Sequence, residues 1–303
     1  MKSIKYLLLF AAVSLLSVSC DKEDALDTSK PINGLGGEIL PDTEASEWLF
    51  ENFTVPYNIE VIYRWESSEI QTSFLRPLVP VREDLVIPFM EVIRDVWFEP
   101  YIQCVGDVFL KKMTPKKIVI AGSGEWSSGT IKLGQAEGGK KILLLNANNF
   151  DPTRADGRNG VKEYLHTIEH EFAHILHQSV MFDKNYQNIS AGKYDPSNWQ
   201  NVSDATANSL GFITPYSMAG KDEDFVEMIS MIMVYGREYL ENIIDEQTEL
   251  GNMDAVDALR QKETIVQKYL LDVWGIKFYD DEAGKGIVTL VQEAVQKVVD
   301  AHQ

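Results

Sequence analysis

The thirteen residues HTIEHEFAHILHQ, positions 166–178, hold four of the five histidines in a chain of 303 residues. Wound at 3.6 residues per turn, His166, His170, His174 and His177 fall on one stripe. Tyr164, Leu165, Phe172 and Ile175 then cover the opposite side, so the segment reads as a helix starting near Val161 and buried along its apolar face. Within it, His170-Glu171-Phe172-Ala173-His174 is HExxH. Histidines at i and i+4 stand one above the other and can share a zinc ion, with the glutamate beside them placed to act on water. Few other features of the chain constrain its fold as much. This stretch is expected to be a helix with its polar stripe turned toward a metal site, the plainer alternative being a face of solvated histidines.

A catalytic zinc needs a third protein ligand and an open position. His177 lies seven residues beyond His170, a rise of ~10.5 Å along a straight helix. Three rings reach one ion only if the helix breaks after His174, and Ile175-Leu176 offers no glycine for that. His177 is therefore expected to pack or to orient a ligand. A better source is TPYSMAGKDEDFVEMIS, positions 214–230, where Glu223 and Glu227 are four apart and point the same way on a helix. One carboxylate can bind zinc while the next hydrogen-bonds the outer nitrogen of a histidine ligand. Glu223 is the expected ligand, with Asp224 and Glu227 as alternatives. Exposed first-turn acids favoured by the helix dipole are the plainer reading, but the helix that follows is too apolar for a surface helix.

Elsewhere YNIEVIYRW (57–65), IVIAG (118–122), TIKLGQA (130–136) and KILLLNA (141–147) read as strands, the last two joined by a turn at 137–140. Helical spacing covers 85–104, 222–244, 254–273 and 287–300, with a Gly-, Asn- and Ser-rich loop at 187–214. Strands first and helices afterwards predict an α+β fold. The expectation is a small mixed or antiparallel sheet packed on the HExxH helix, then a mostly helical C-terminal half, in one domain spanning 46–303.

The net charge of −18 argues against a nucleic-acid partner, since phosphate binding needs a basic surface. Lys2, Lys5 and the short apolar run 6–18 read as a secretory signal, residues 1–19, too short to span a membrane comfortably. The run ends at Ser19-Cys20, which resembles a bacterial lipoprotein processing site with Cys20 as the lipidated residue, although Ser17 stands where leucine is commonest. Residues 20–45 are polar, with Pro31, Gly34, Gly36, Gly37 and Pro41, and read as a flexible tether. With Cys20 acylated, Cys104 has no disulfide partner and is expected in the core.

HExxH followed by a downstream helix with Glu-x-x-x-Glu resembles the gluzincin metallopeptidases. Tyr216-x6-Glu223-x3-Glu227 is closer still to the lethal-factor type. That resemblance implies Tyr216 as oxyanion stabiliser, Glu223 as ligand and Glu227 as the partner of a histidine ligand. Taken together, the lipobox, tether, YNIEVIYRW, HExxHxxH and DEDFVE resemble the zinc metallohydrolase lipoproteins of Bacteroidota, associated with TonB-dependent outer-membrane importers and their substrate-binding lipoproteins. The resemblance implies a zincin-like fold, one Zn2+ per chain, and Glu171 as general base. It also implies a peptide or glycoprotein substrate, an outer-membrane location exposed at the cell surface, and an importer as partner. Cys20-Asp-Lys-Glu-Asp further resembles the acidic export signal of such lipoproteins. An extended substrate is expected to pair with the TIKLGQA edge. Two rival readings are a non-catalytic binding lipoprotein and a closed structural zinc site that includes His177.

Overall fold

Thr43 starts the first helix by accepting the Ser46 N–H, while Ser46 Oγ accepts the Thr43 N–H at 2.7 Å. In the computed structural model, residues 42–64, 69, 78–127, 130–132, 134–137 and 141–303 are described. The expected signal segment, Cys20, most of the tether and the tip of the 137–140 turn lie outside them. Helix α1 covers residues 44–57, with a π turn over Phe50–Thr54, and ends at Asn58 in the left-handed region. It takes the first residue of the expected strand 57–65. Pro56, its φ preset for a helix, and the packing of Tyr57 against Phe98 at 4.7 Å hold the chain helical there. Strand β1 is only Glu60–Ile62. Helix α2 covers 83–105 with its own π turn at Arg94–Phe98, burying Phe89, Val92, Ile93, Val96 and Trp97. Helix α3, Asp107–Met113, follows.

The sheet is mixed, as one form of the expectation had it, but its main part is parallel rather than antiparallel. Strands β1, β2 (Lys117–Ile120) and β6 (Lys141–Leu144) run parallel, with Ile118 opposite both Val61 and Ile142. Strand β5 (Gly134–Glu137) pairs antiparallel with β6, and the order among the described strands is β1-β2-β6-β5. The stretch read as one strand at 130–136 is split: β4 (Thr130–Lys132) pairs with β3 (Glu125–Ser127) in a separate ribbon, and 134–137 joins the sheet. The parallel core follows from burial on both faces. Ile118, Ile120, Ile142 and Leu144 enter the main core, while Ile62, Val119, Ala121 and Leu145 form a second cluster.

Helix α4, Val161–Ser179, carries HExxH and packs against β5 and β6. The expected loop 187–214 contains short helices, α5 (Tyr186–Ile189) and α6 (Asp204–Ser209). The expected single helix 222–244 is two, α7 (Lys221–Tyr235) and α8 (Arg237–Glu249). They break at Gly236, whose φ of 86° with ψ of 165° only glycine adopts readily. Every residue of α7 from Asp224 to Val234 is buried, and the helix lies along α4. Helices α9 (Met253–Trp274) and α10 (Ile287–His302) complete the described fold. Cys104 is half-buried, and burial raises its thiol pKa. Among the described residues no helix is long and apolar enough to cross a membrane.

Candidate metal centre

The apolar side of α4 is anchored by aromatic contacts: Phe172 lies 5.4 Å from Trp97 and 5.2 Å from Tyr101, and Tyr164 lies 5.3 Å from Phe89. That anchoring turns the histidine stripe toward the first turns of α7. Glu223 Oε2 comes to 3.1 Å from His170 Nε2 and 3.3 Å from His174 Nε2. These residues offer ligand atoms all within 4.8 Å of one another. One turn further on, Glu227 Oε1 lies 2.8 Å from His170 Nδ1 and 3.0 Å from His166 Nε2, and Oε2 accepts Thr214 Oγ1 at 2.7 Å.

Proton bookkeeping shows what this geometry can hold. His170 Nδ1–H donates to Glu227, so in the neutral ring Nε2 is an acceptor facing a carboxylate. His174 Nδ1 lies 2.9 Å from Nε2 of the buried His177. Burial, and then the His174 charge, lowers the His177 pKa to about 4. A neutral His177 accepts from His174 Nδ1–H, which leaves His174 Nε2 an acceptor as well. Two imidazole nitrogens and a carboxylate oxygen converge, the three-ligand donor set of a zinc site. The residues present fit that metal.

Without an ion, the two carboxylates favour an added proton on His170. Burial opposes the charged form of His170, but Glu223 and Glu227 outweigh it and push its pKa up to about 10. Burial likewise raises Glu223, and His170 and His174 bring it far below the ordinary carboxylate range. In the metal-free chain the carboxylates are thus balanced by protonated imidazole, and a bound cation would take that place.

A second grouping, His166, His170 and Glu227, also lies within 4.8 Å. It needs no ion, because both histidines can donate to Glu227 Oε1 and Thr214 saturates the other oxygen. Asp224, the sequence alternative for the ligand, turns away entirely. It is fully buried, 2.8 Å from Lys262 Nζ, and accepts Tyr194 Oη at 3.0 Å. His177 stands behind His174 rather than beside the Nε2 atoms.

Tyr216 stacks on His170, with ring centroids 5.5 Å apart and planes at 22°, and its ring also lies 4.7 Å from that of Trp199. Burial, and next the Glu223 carboxylate, raises the Tyr216 pKa and keeps the phenol protonated. Glu171 is half-buried, and its charge reaches both His170 and Tyr216. The sequence reading left His166, Thr214, Trp199 and Lys262 without roles. His166 had a signal in its i−4 spacing from His170; the others had none, since their partners are distant in the chain.

Residues 39–279 match the family described as "Putative zinc-binding metallo-peptidase". A crystal structure described as a putative zinc-binding metallo-peptidase from Bacteroides caccae is 32% identical, with a TM-score of 0.67 over 86% of this chain and 95% of that one. No curated protein matches the chain.

Proposed function

The chain belongs to this family of zinc-binding metallo-peptidases, and on that premise we propose that it is a zinc-dependent hydrolase that cuts peptide bonds. The observation that carries the reading is the convergence of His170 Nε2, His174 Nε2 and Glu223 Oε2 beside Glu171 and Tyr216. His170, His174 and Glu223 would hold the ion. Zinc bound there supplies a Lewis acid that polarises the scissile carbonyl and brings the pKa of water toward neutrality.

The rest is done by the chain's own groups. Glu171 takes the proton of the attacking water and passes it to the leaving amine nitrogen. The Tyr216 phenol donates to the developing oxyanion. Glu227 and His177 hold His170 and His174 in the tautomers that leave each Nε2 free. An extended substrate pairs with β5, the edge strand next to β6 among the described residues. A closed site including His177 is disfavoured because its Nε2 is engaged by His174 Nδ1.

The lipobox-like Ser19-Cys20 and the acidic residues after it support a lipid-anchored protein at the outer-membrane surface, and the resemblance to importer-associated metallohydrolase lipoproteins alone supports its serving a TonB-dependent importer. A peptide-library digestion with and without a chelator tests the activity. Chelator-sensitive cleavage by the wild type is expected. Glu171→Gln should keep zinc while losing about two orders of magnitude or more in rate. Cleavage by Glu171→Gln at the wild-type rate would remove Glu171 as base; cleavage indifferent to the chelator would remove the metal reading.

A further inference from the structure

Next to the proposed ligand, the fold buries an ion pair that the chemistry above does not use. Lys262 of α9 and Asp224 of α7 are both 0% exposed, with Nζ 2.8 Å from Oδ2. Nζ also donates to the Gly211 carbonyl at 2.8 Å and sits 4.2 Å over the Phe212 ring. Tyr194 Oη donates to Asp224 Oδ2 at 3.0 Å, and Tyr186 Oη to the Asp224 carbonyl at 2.9 Å. Such a pair costs much to desolvate, and apolar residues of similar volume commonly serve stability as well or better. Stability is therefore a poor account of it.

What the pair does have is reach. On one side Lys262 holds the side chain of Asp224, the residue after Glu223. On the other it holds Gly211, where the chain turns with φ of +84° and lies so close to α9 that a Cβ would sit 2.7 Å from Ala258 Cβ. The segment leaving Gly211 carries Thr214, which donates to Glu227, and Tyr216, which stacks on His170. Tyr194 is tied to the same segment, since the Asp195 N–H donates to the Met218 carbonyl at 2.8 Å. One ammonium thus joins the helix that presents Glu223 to the loop that presents Thr214 and Tyr216.

We propose that Lys262 and Asp224 are positioning residues, setting where Glu223 and Tyr216 stand relative to His170 and His174. The inference rests on the metal reading above, with Glu223 as ligand. The test uses zinc affinity, measured against a competing chelator, and the visible spectrum of the cobalt(II)-loaded protein, which reports ligand geometry. The variants are Lys262→Met/Asp224→Asn, which removes both charges while keeping volume, and Glu223→Ala. The metal-free double variant should unfold close to the wild type, yet bind zinc about 10- to 100-fold more weakly, as lost outer contacts do, with a shifted cobalt spectrum. Wild-type affinity and spectrum in the folded double variant overturn the inference. Should the double variant not fold, Tyr194→Phe decides: removing one hydrogen bond to Asp224 should weaken zinc by roughly two- to tenfold, and unchanged affinity overturns the inference equally. Glu223→Ala binding zinc like the wild type would instead overturn the metal reading, and the inference with it.

Discussion

Glu223 Oε2 stands between the Nε2 atoms of His170 and His174, whereas His177 reaches only the outer nitrogen of His174. The three acidic and imidazole groups around the motif should therefore separate on one scale of zinc affinity. Glu223→Ala loses a ligand and should bind zinc most weakly. Glu227→Ala should lose about 10- to 100-fold, because His170 is no longer oriented. His177→Ala should keep the metal. Titration against a competing chelator ranks them, and a metal-free His177→Ala beside a metal-bound Glu223→Ala would reverse the assignment. A further residue bears on stability. Glu169 is buried on α4 away from the stripe, accepts Tyr101 Oη at 2.8 Å, and burial raises its pKa from 4.5 to about 8 despite that bond. Between those values the folded chain holds a proton that the unfolded chain has released. Stability from this group is thus fullest below 4.5 and falls as pH rises toward 8. Glu169→Gln should flatten that decline in thermal unfolding measured across the window; an unchanged slope would contradict it.

Elements carry the site through a few backbone commitments. Gly236 separates α7 from α8 with φ of 86° and ψ of 165°, and a Cβ there would meet nothing closer than 3.8 Å. Gly211 combines a positive φ with a Cβ position 2.7 Å from Ala258. Gly236→Ala should therefore cost about 1–3 kcal/mol through strain alone. Gly211→Ala should cost more, since a clash with α9 adds to strain. Urea unfolding of the metal-free proteins compares them, and equal losses would argue against tight packing of the loop on α9. Apolar spacing was enough to find α2, α4, α9 and α10, because a helix half-buried along its length shows its period in the residues themselves. The break at Gly236 was hidden, since apolar residues continue on both sides of it, at Val234 and Leu240. The parallel sheet was hidden for a different reason. KIVI and KILL are short apolar runs, and such runs fit either direction until the crossing helices are placed.

At the scale of the whole molecule, the proposed anchor is separable from the domain that carries the site. In a bacterium that processes lipoproteins, the full chain should fractionate with membranes and Cys20→Ala should be released. No helix among the described residues is long and apolar enough to replace an anchor. Retention of Cys20→Ala in the membrane fraction would sink the lipidation proposal.

The sequence by itself determined the HExxH helix, the side on which its histidines lie, and the acid pair at 223 and 227. All are consequences of spacing within one helix, where 3.6 residues per turn decides which side chains are neighbours. Tertiary structure alone decided which acid meets the Nε2 atoms. Asp224 and Glu223 are adjacent in the chain, and only the rotation of α7 against α4 turns one to the histidines and the other to Lys262. It also decided which groups meet the Nδ1 atoms of His170 and His174, namely Glu227 and His177. Rotation and register between helices come from the summed packing of residues far apart in the chain, and no local period records that sum.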